Sequence, residues 1–462
     1  MTFASLKEMN DRAARADAPG ADGELIDRLV HTSVFGADAE VKGTARWLLR
    51  RFAAAAGIWP ASIHELYMAM GRESAGGFTV PAINVRAVAY DTARAVVRAA
   101  RALNAGAFIF EISRSEIAYT GQRPHEYAAV AIGAALREGF SGPLFIQGDH
   151  VQANARKYHS PAREEELAAL RALIAEEIAA SFYNIDIDSS TLVDLGRATL
   201  AEQQALNAGV AADLTAFVRQ HEPPGVTISI GGEIGEVGGR NSNVHELRAF
   251  MKGYNAALEQ RGRGYHGVSK VSVQTGTAHG GMVNADGTLR TDVNIDLAAL
   301  EELSRAARRE YGLGGAVQHG ASTLPPDAFD AFPRAGACEI HLATSFQSLV
   351  FEHPQFPADL RDEMYRWIGE HAVAERKPAD TEQQFLYKAR KFALGAFKHK
   401  MWAIAEDRRR AIGESLEAEF LRLMRALRID GTAPLVAGLV SAPQHAFDLD
   451  REIAAAGTPR RQ

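Results

Sequence analysis

PLFIQGDH, residues 143–150, is an apolar run that stops on a glycine, an acid and a histidine. Such a run reads as a buried strand whose last residues leave the core. The pattern recurs. VTISIGGEIG (226–235), KVSVQTGTAHG (270–280) and AVQHGAS (316–322) end in the same way and bring Glu233, His279 and His319 to stand with His150. In a parallel barrel, strand C-termini converge on one face, so these four residues can meet although they lie far apart in the chain. Imidazole and carboxylate are the ligands a divalent metal such as zinc takes. One histidine among the chain's 15 means little, but three histidines and a glutamate at strand ends form a pattern.

Working outward, eight apolar runs follow one another: 78–85, 105–113, 142–150, 181–188, 226–234, 268–276, 314–320 and 337–345. Amphipathic stretches such as AYDTARAVVRAARALNA and LAALEELSRAARREYG separate most of them. Eight strand–helix alternations predict an α/β fold, a (β/α)8 barrel rather than an open sheet. The expected organisation is an N-terminal helical extension (1–60), the barrel (61–345) and a C-terminal helical region (346–462).

The 462 residues are 47% hydrophobic and 23% charged, with a formal net charge of −6, enough for a large core and without a dominant basic patch. Nucleic acid is therefore a poor partner expectation. The first residues lack an apolar secretory core, and no run of about eighteen apolar residues suggests a membrane span. The single cysteine, Cys338, lies in an apolar run and is expected to be a buried thiol, which fits a cytoplasmic protein.

The strand-end segments resemble the class II, metal-dependent fructose-bisphosphate and tagatose-bisphosphate aldolases over about residues 61–345. QGDH (147–150) is similar to the motif in which Asp is catalytic and His binds metal. GGEIGEVGG (231–239) is similar to the motif whose first Glu is a ligand, and GTAHGG (276–281) and QHGAS (318–322) to those that supply two further histidines. FYNIDIDSS (182–190) places Asp188 at the family's Asp-x-Ser, and Asn84 and Ser113 fall at substrate-facing positions. The resemblance implies that His150, Glu233, His279 and His319 bind a divalent metal, expected to be zinc, and that Asp149 is the acid/base. Asn84, Ser113, Asp188, Gly280, Gly320, Ser322, His341 and Thr344 would line the substrate site. The implied reaction is reversible retro-aldol cleavage of a phosphorylated ketose, a small sugar phosphate, with the metal acting as a Lewis acid on the enediolate charge. A homo-oligomer is the base-rate expectation.

Departures from the family pattern are as informative. After its glycine pair the chain reads GGRNSN, so Arg240 and Asn241 stand where an acid normally handles the carbon proton; Glu236, Glu111 and His341 are candidate substitutes. Val283 replaces a phosphate-meeting lysine, and the last strand reads Glu339-x-His341-x-Ala343-Thr344 where Lys-x-Asn-x-Asp-Thr is usual. LYKARKFALGAFKHKMW (386–402) carries Lys388, Arg390, Lys391, Lys398 and Lys400, either a solvated face or an arm toward a phosphate. YTGQRPHEY (119–127), with Arg123 and His125, reads as a lid or an ordinary loop. Competing readings are a non-catalytic accessory subunit like that of tagatose-bisphosphate aldolase, an aldolase or epimerase for another ketose, and a metal-dependent barrel hydrolase. The last lacks its usual His-x-His, since AINVR stands there.

Overall fold

The computed structural model describes residues 2–15, 22–235, 240–276, 284–286, 288, 295–321, 324–443 and 447–457. The strands in chain order are β1 (Ile58–Ala61), β2 (Val80–Asn84), β3 (Ile109–Ser113), β4 (Gly142–Gln152), β5 (Asn184–Asp188), β6 (Ser229–Glu233), β7 (Lys270–Val273), β8 (Ala316–Gln318) and β9 (Glu339–Leu342). β2 to β9 pair in parallel, each with the next, and β9 returns to β2 with Glu339 opposite Val80, so the barrel closes. All eight expected strands are present, seven within their runs and β4 extending two residues past its own to Gln152. β1 was not expected: four residues, one of them Pro60, are too short to show a period. It lies along the first half of β4, from Ile58 opposite Gly142 to Ala61 opposite Phe145, and β5 takes over that edge at Gln147.

The outer helices start where the sequence supplies a cap. Ser113 and Glu116 form a capping box for Arg114–Thr120, Thr199 and Glu202 for Leu200–His221, and Asn243 and Glu246 for Val244–Arg261. Within the N-terminal stretch expected to be helical, Leu6–Ala14, Gly23–Phe35 and Ala39–Ala55 form helices. The C-terminal helices pack on the barrel's own helices and, through Arg50 of Ala39–Ala55, on the N-terminal extension. Arg98 meets Glu417 at 2.5 Å, Arg409 meets Asp91 at 2.9 Å, and the buried Arg50 and Glu452 meet at 2.8 Å. Among the described residues no helix is long and apolar enough to cross a membrane.

One irregularity positions the site. Consecutive strand residues face opposite sides of a sheet, yet Asp149 and His150 line the same cavity. The β4–β5 register shifts between Gly148 and Val151, and His150 takes φ 43°, in the left-handed region that side chains with a Cβ disfavour. This bulge turns His150 toward the barrel mouth. Just beneath it Gly148 admits the buried Glu177: a Cβ at 148 would lie 2.5 Å from Glu177 Oε2. Among the described residues neither Glu177 oxygen has a hydrogen-bond partner. Burial, with Asp149 and Asp186 nearby, pushes its pKa up to about 8 against the opposing pull of Arg123.

Glu177 therefore keeps in the fold a proton that the unfolded chain gives up near the ordinary value of 4.5. Its contribution to stability is whole below that value and is lost as pH rises toward about 8. Glu177→Gln should flatten the stability profile across this window and gain on the order of 1–3 kcal/mol at the alkaline end. Urea unfolding at either end of the window measures it; an unchanged slope would remove Glu177 from the account.

Candidate metal centre and active site

The C-terminal ends of the strands open into a cavity of about 1170 Å³. His150, from the bulge, is its hub. His150 Nδ1 lies 3.1 Å from Asp188 Oδ2 and 3.2 Å from Glu233 Oε2, and its Nε2 lies 2.8 Å from Nδ1 of His319. The His319 and His341 rings come next, tilted at 52° with centroids 4.1 Å apart. One ligand atom each from Asp149, His150, His319 and His341 falls within 4.8 Å of the others, and so does one each from His150, Asp188 and Glu233. Two imidazole nitrogens 2.8 Å apart, with carboxylates on both sides, are a donor set that suits a divalent cation. His279, Gly280 and Ser322 lie outside the described residues, as do Glu236 and Val283.

Asp149 is fixed from two sides. Asn84 Nδ2 donates to its Oδ2 at 2.9 Å, and His341 Nδ1 meets its Oδ1 at 3.0 Å. Burial disfavours the ionised carboxylate, but His150 and His341 outweigh this and hold Asp149 well below the usual range. Burial likewise works against a charged His341; Glu111 and Asp149 win and raise its pKa well above ordinary. Glu233 behaves oppositely: burial and the neighbouring Asp188 push it up to about 7 despite His150. The carboxylate on which sequence reasoning placed acid/base duty is thus ionised, while Glu233 holds its proton more readily.

Asp188 accepts from Gln152 Nε2 at 2.6 Å and Ser190 Oγ at 2.6 Å while facing His150. Ser113 lines the cavity and also caps a helix, accepting from the Glu116 amide at 3.3 Å. Gly320 and Thr344 line the cavity. Arg240 and Asn241 are engaged by Glu246 at 2.7 Å and Asp296 at 3.1 Å. In the segment read as a lid or loop, His125 is buried against Glu452 at 3.0 Å and Arg123 pairs with Glu176.

The main feature missed from sequence lies below the cavity. Lys270, fully buried at the start of β7, sits 2.5 Å from Glu339, 2.9 Å from Asp186 and 2.8 Å from Gln147 Oε1. Glu339 passes the contact on to His341 Nε2 at 2.6 Å. Tyr67, from the helix His64–Gly71, donates to Glu339 at the opposite end of the barrel. Gly231 makes room: a Cβ there would lie 2.3 Å from Asp186 Oδ1 and 2.9 Å from the Lys270 side chain. The signals were a lysine inside VSKVSV and the period-two repeat in NIDID, which puts Asp186 on the face of Asp188. Arg86 and Glu116, which form an ion pair at the cavity edge, were missed as well.

A closed (β/α)8 barrel with a histidine–carboxylate cluster at its strand C-termini belongs to the class that works from that face. The family model described as fructose-bisphosphate aldolase class-II matches residues 67–415. The chain belongs to the class II fructose-bisphosphate aldolase family. Its fold is similar to that of a probable tagatose 6 phosphate kinase from Sinorhizobium meliloti 1021, at 20% identity and TM-score 0.55, over 82% of this chain and 97% of that one. A fructose-bisphosphate aldolase from Campylobacter jejuni matches at 15% identity and TM-score 0.47, over 81% and 96%. A fructuronate-tagaturonate epimerase from Cohnella laeviribosi matches at 14% and 0.49, over 86% of each.

Removing one member of the buried ionic group leaves its partners' charges uncompensated. Lys270→Met should cost roughly 3–5 kcal/mol, and the double variant Lys270→Met/Glu339→Met should recover part of that. Denaturant unfolding of the two variants measures the difference. With Glu339→Met added to close the cycle, losses that simply sum in the double variant would show that the pair is not coupled.

Proposed function

We propose that this protein is a metal-dependent aldolase that reversibly cleaves a phosphorylated ketose. The observation that carries the reading is Asp149: an ionised carboxylate held between Asn84 and His341, one residue from the hub of the histidine–carboxylate cluster. His150, Glu233 and His319, with His279, would hold the cation, expected to be zinc. When bound it would supply Lewis acidity to the ketose oxygens.

Asp149 takes the proton of the C4 hydroxyl as the C3–C4 bond breaks. Asn84 keeps the carboxylate aimed by donating to its other oxygen. The carbon left electron-rich must receive a proton for the ketose fragment to leave. Of the three candidates for that transfer, His341 lines the cavity, Glu111 is wholly buried outside its lining, and Glu236 lies outside the described residues. Burial and Asp149 push Glu111 up against the pull of His341, and its carboxylate faces His341 rather than the cavity. His341, kept protonated by Glu111 and Asp149, is the donor assigned here. Asp188, Ser113, Gly320 and Thr344, with Gly280 and Ser322, order the substrate around these groups.

Two experiments test the reading. Asp149→Ala should retain metal and lose roughly 100-fold or more in turnover, whereas His319→Ala should lose both metal and turnover. Full cleavage by metal-free protein would sink the proposal. His341→Asn should slow the exchange of solvent deuterium into the C3 position of the released ketose fragment by about 100-fold, more than it slows carbon–carbon cleavage. Equal effects on the two rates would take the carbon proton away from His341.

A further inference from the structure

The basic stretch 386–402 divides in the structure. Lys398 is buried against Glu126 and donates to the Gly121 carbonyl at 3.1 Å. Arg390 donates to Ser348 at 2.6 Å and pairs with Glu352 at 3.1 Å, and Lys400 pairs with Glu363 at 2.5 Å on the exterior. These three are structural. Lys388 reaches the cavity already paired with Asp380 at 2.6 Å.

Lys391 is different. It lines the same cavity as the Asp149 cluster, and among the described residues no carboxylate lies within ion-pair distance of it. Its ammonium stands over two aromatic rings, 5.7 Å from Tyr119 and 5.1 Å from Phe392. Burial, followed by the positive charge of Arg86, makes its protonated form harder to hold. Arg86 is already answered by Glu116. The surroundings are set by packing: Gly395 comes so close to helix Arg114–Thr120 that a Cβ there would lie 2.7 Å from the Tyr119 carbonyl. A half-buried ammonium beside a guanidinium, with Glu375 and Glu116 acting on it only from beyond ion-pair distance, is an unfavourable arrangement that an incoming anion relieves.

The position suits the proposed substrate. Arg86 follows Asn84 by two residues, and Glu116 joins them, pairing with Arg86 and accepting from Asn84 Nδ2 at 2.7 Å. Asn84 in turn holds Asp149. The cation pair is therefore tied to the reacting end of the cavity through a short hydrogen-bonded chain. Resting on the aldol reading for which end reacts, we propose that Lys391, with Arg86 beside it, is the subsite for the anionic terminus of the substrate, a phosphate or a carboxylate. The C-terminal region would then supply the charge that the barrel lacks at Val283.

The test is first a binding measurement, so that it does not depend on cleavage. Inorganic phosphate and acetate are titrated calorimetrically into the full-length, metal-loaded protein at constant ionic strength. Wild type should bind one of the two anions, which identifies the class. Lys391→Met and Lys391→Gln should weaken that binding about tenfold or more, Lys391→Arg should keep most of it, and Lys400→Met should match wild type. With a ketose phosphate as substrate, Lys391→Met should raise KM about tenfold and leave kcat within about threefold. Anion binding lost at Lys391 in a protein that cleaves no ketose supports the subsite and removes the aldol reading. No anion binding by wild type, or undiminished binding in both neutral variants, overturns the subsite whatever the cleavage assay gives.

Discussion

One ammonium group, Lys270, organises the inside of this barrel. A barrel interior is ordinarily filled by layers of branched apolar side chains. Here a column of ionisable groups runs from Tyr67 through Glu339, Lys270 and Asp186 to His341 and Asp149. Burying charge is costly unless each group is paired and hydrogen-bonded. The carboxylates Glu111, Asp149, Asp186 and Glu339 crowd around Lys270 and His341, so they share positive charge unequally. Burial raises them all; Lys270 and His341 hold Glu339 down to about 2, whereas Asp186 and Glu111 stay elevated. His341 is the upper end of this column. Its two nitrogens are taken by Glu339 below and Asp149 beside it, which fixes the ring where the cavity begins.

The mouth of the barrel depends on a second constraint, the bulge in β4. Without the shift between Gly148 and Val151, His150 would point away from Asp149, and neither the Glu233 nor the His319 contact could form. A left-handed backbone at a histidine has an energetic cost, of order 1–3 kcal/mol, and persists because its surroundings over-determine it. Those surroundings are visible: Asp188 and Glu233 at one imidazole nitrogen, His319 at the other, and Glu177 packed beneath Gly148. Strain and a proton-holding carboxylate thus sit under the two residues on which the proposed chemistry rests.

What the sequence disclosed follows from this construction. Strands β2 to β9 were legible because each is a short apolar run ended by polar residues, and the convergence of those ends made His150, Glu233 and His319 legible as a group. The interior charges were not. Lys270 and Asp186 stand inside runs that satisfy every strand criterion, and only the closure of the barrel brings them within reach of each other. Glu116 was hidden for another reason: it reads as the third residue of a capping box, a sufficient local role, yet it also holds Asn84 and Arg86. The basic stretch 386–402 showed its charge but not its assignment, since Lys391 and Lys398 are seven residues apart and only packing sends one to the cavity and the other to Glu126.

The departures in the last strand also make sense as one exchange. The family pattern places a lysine and an asparagine where this chain has Glu339 and His341. A lysine at 339 would bring a second ammonium to within contact of Lys270, whose side chain lies 2.5 Å from the present carboxylate. Interior cations at both positions would repel and leave Asp186 as the nearest anion, so Glu339 is the better partner for Lys270. Once Glu339 is an anion, the residue two places on meets a carboxylate beneath it and Asp149 beside it. An asparagine amide can donate to both but carries no charge to balance them; a histidine does both and stays protonated. A histidine at 341 therefore suits an anion at 339. It places a protonated imidazole beside the proposed catalytic carboxylate without adding a group elsewhere in the barrel.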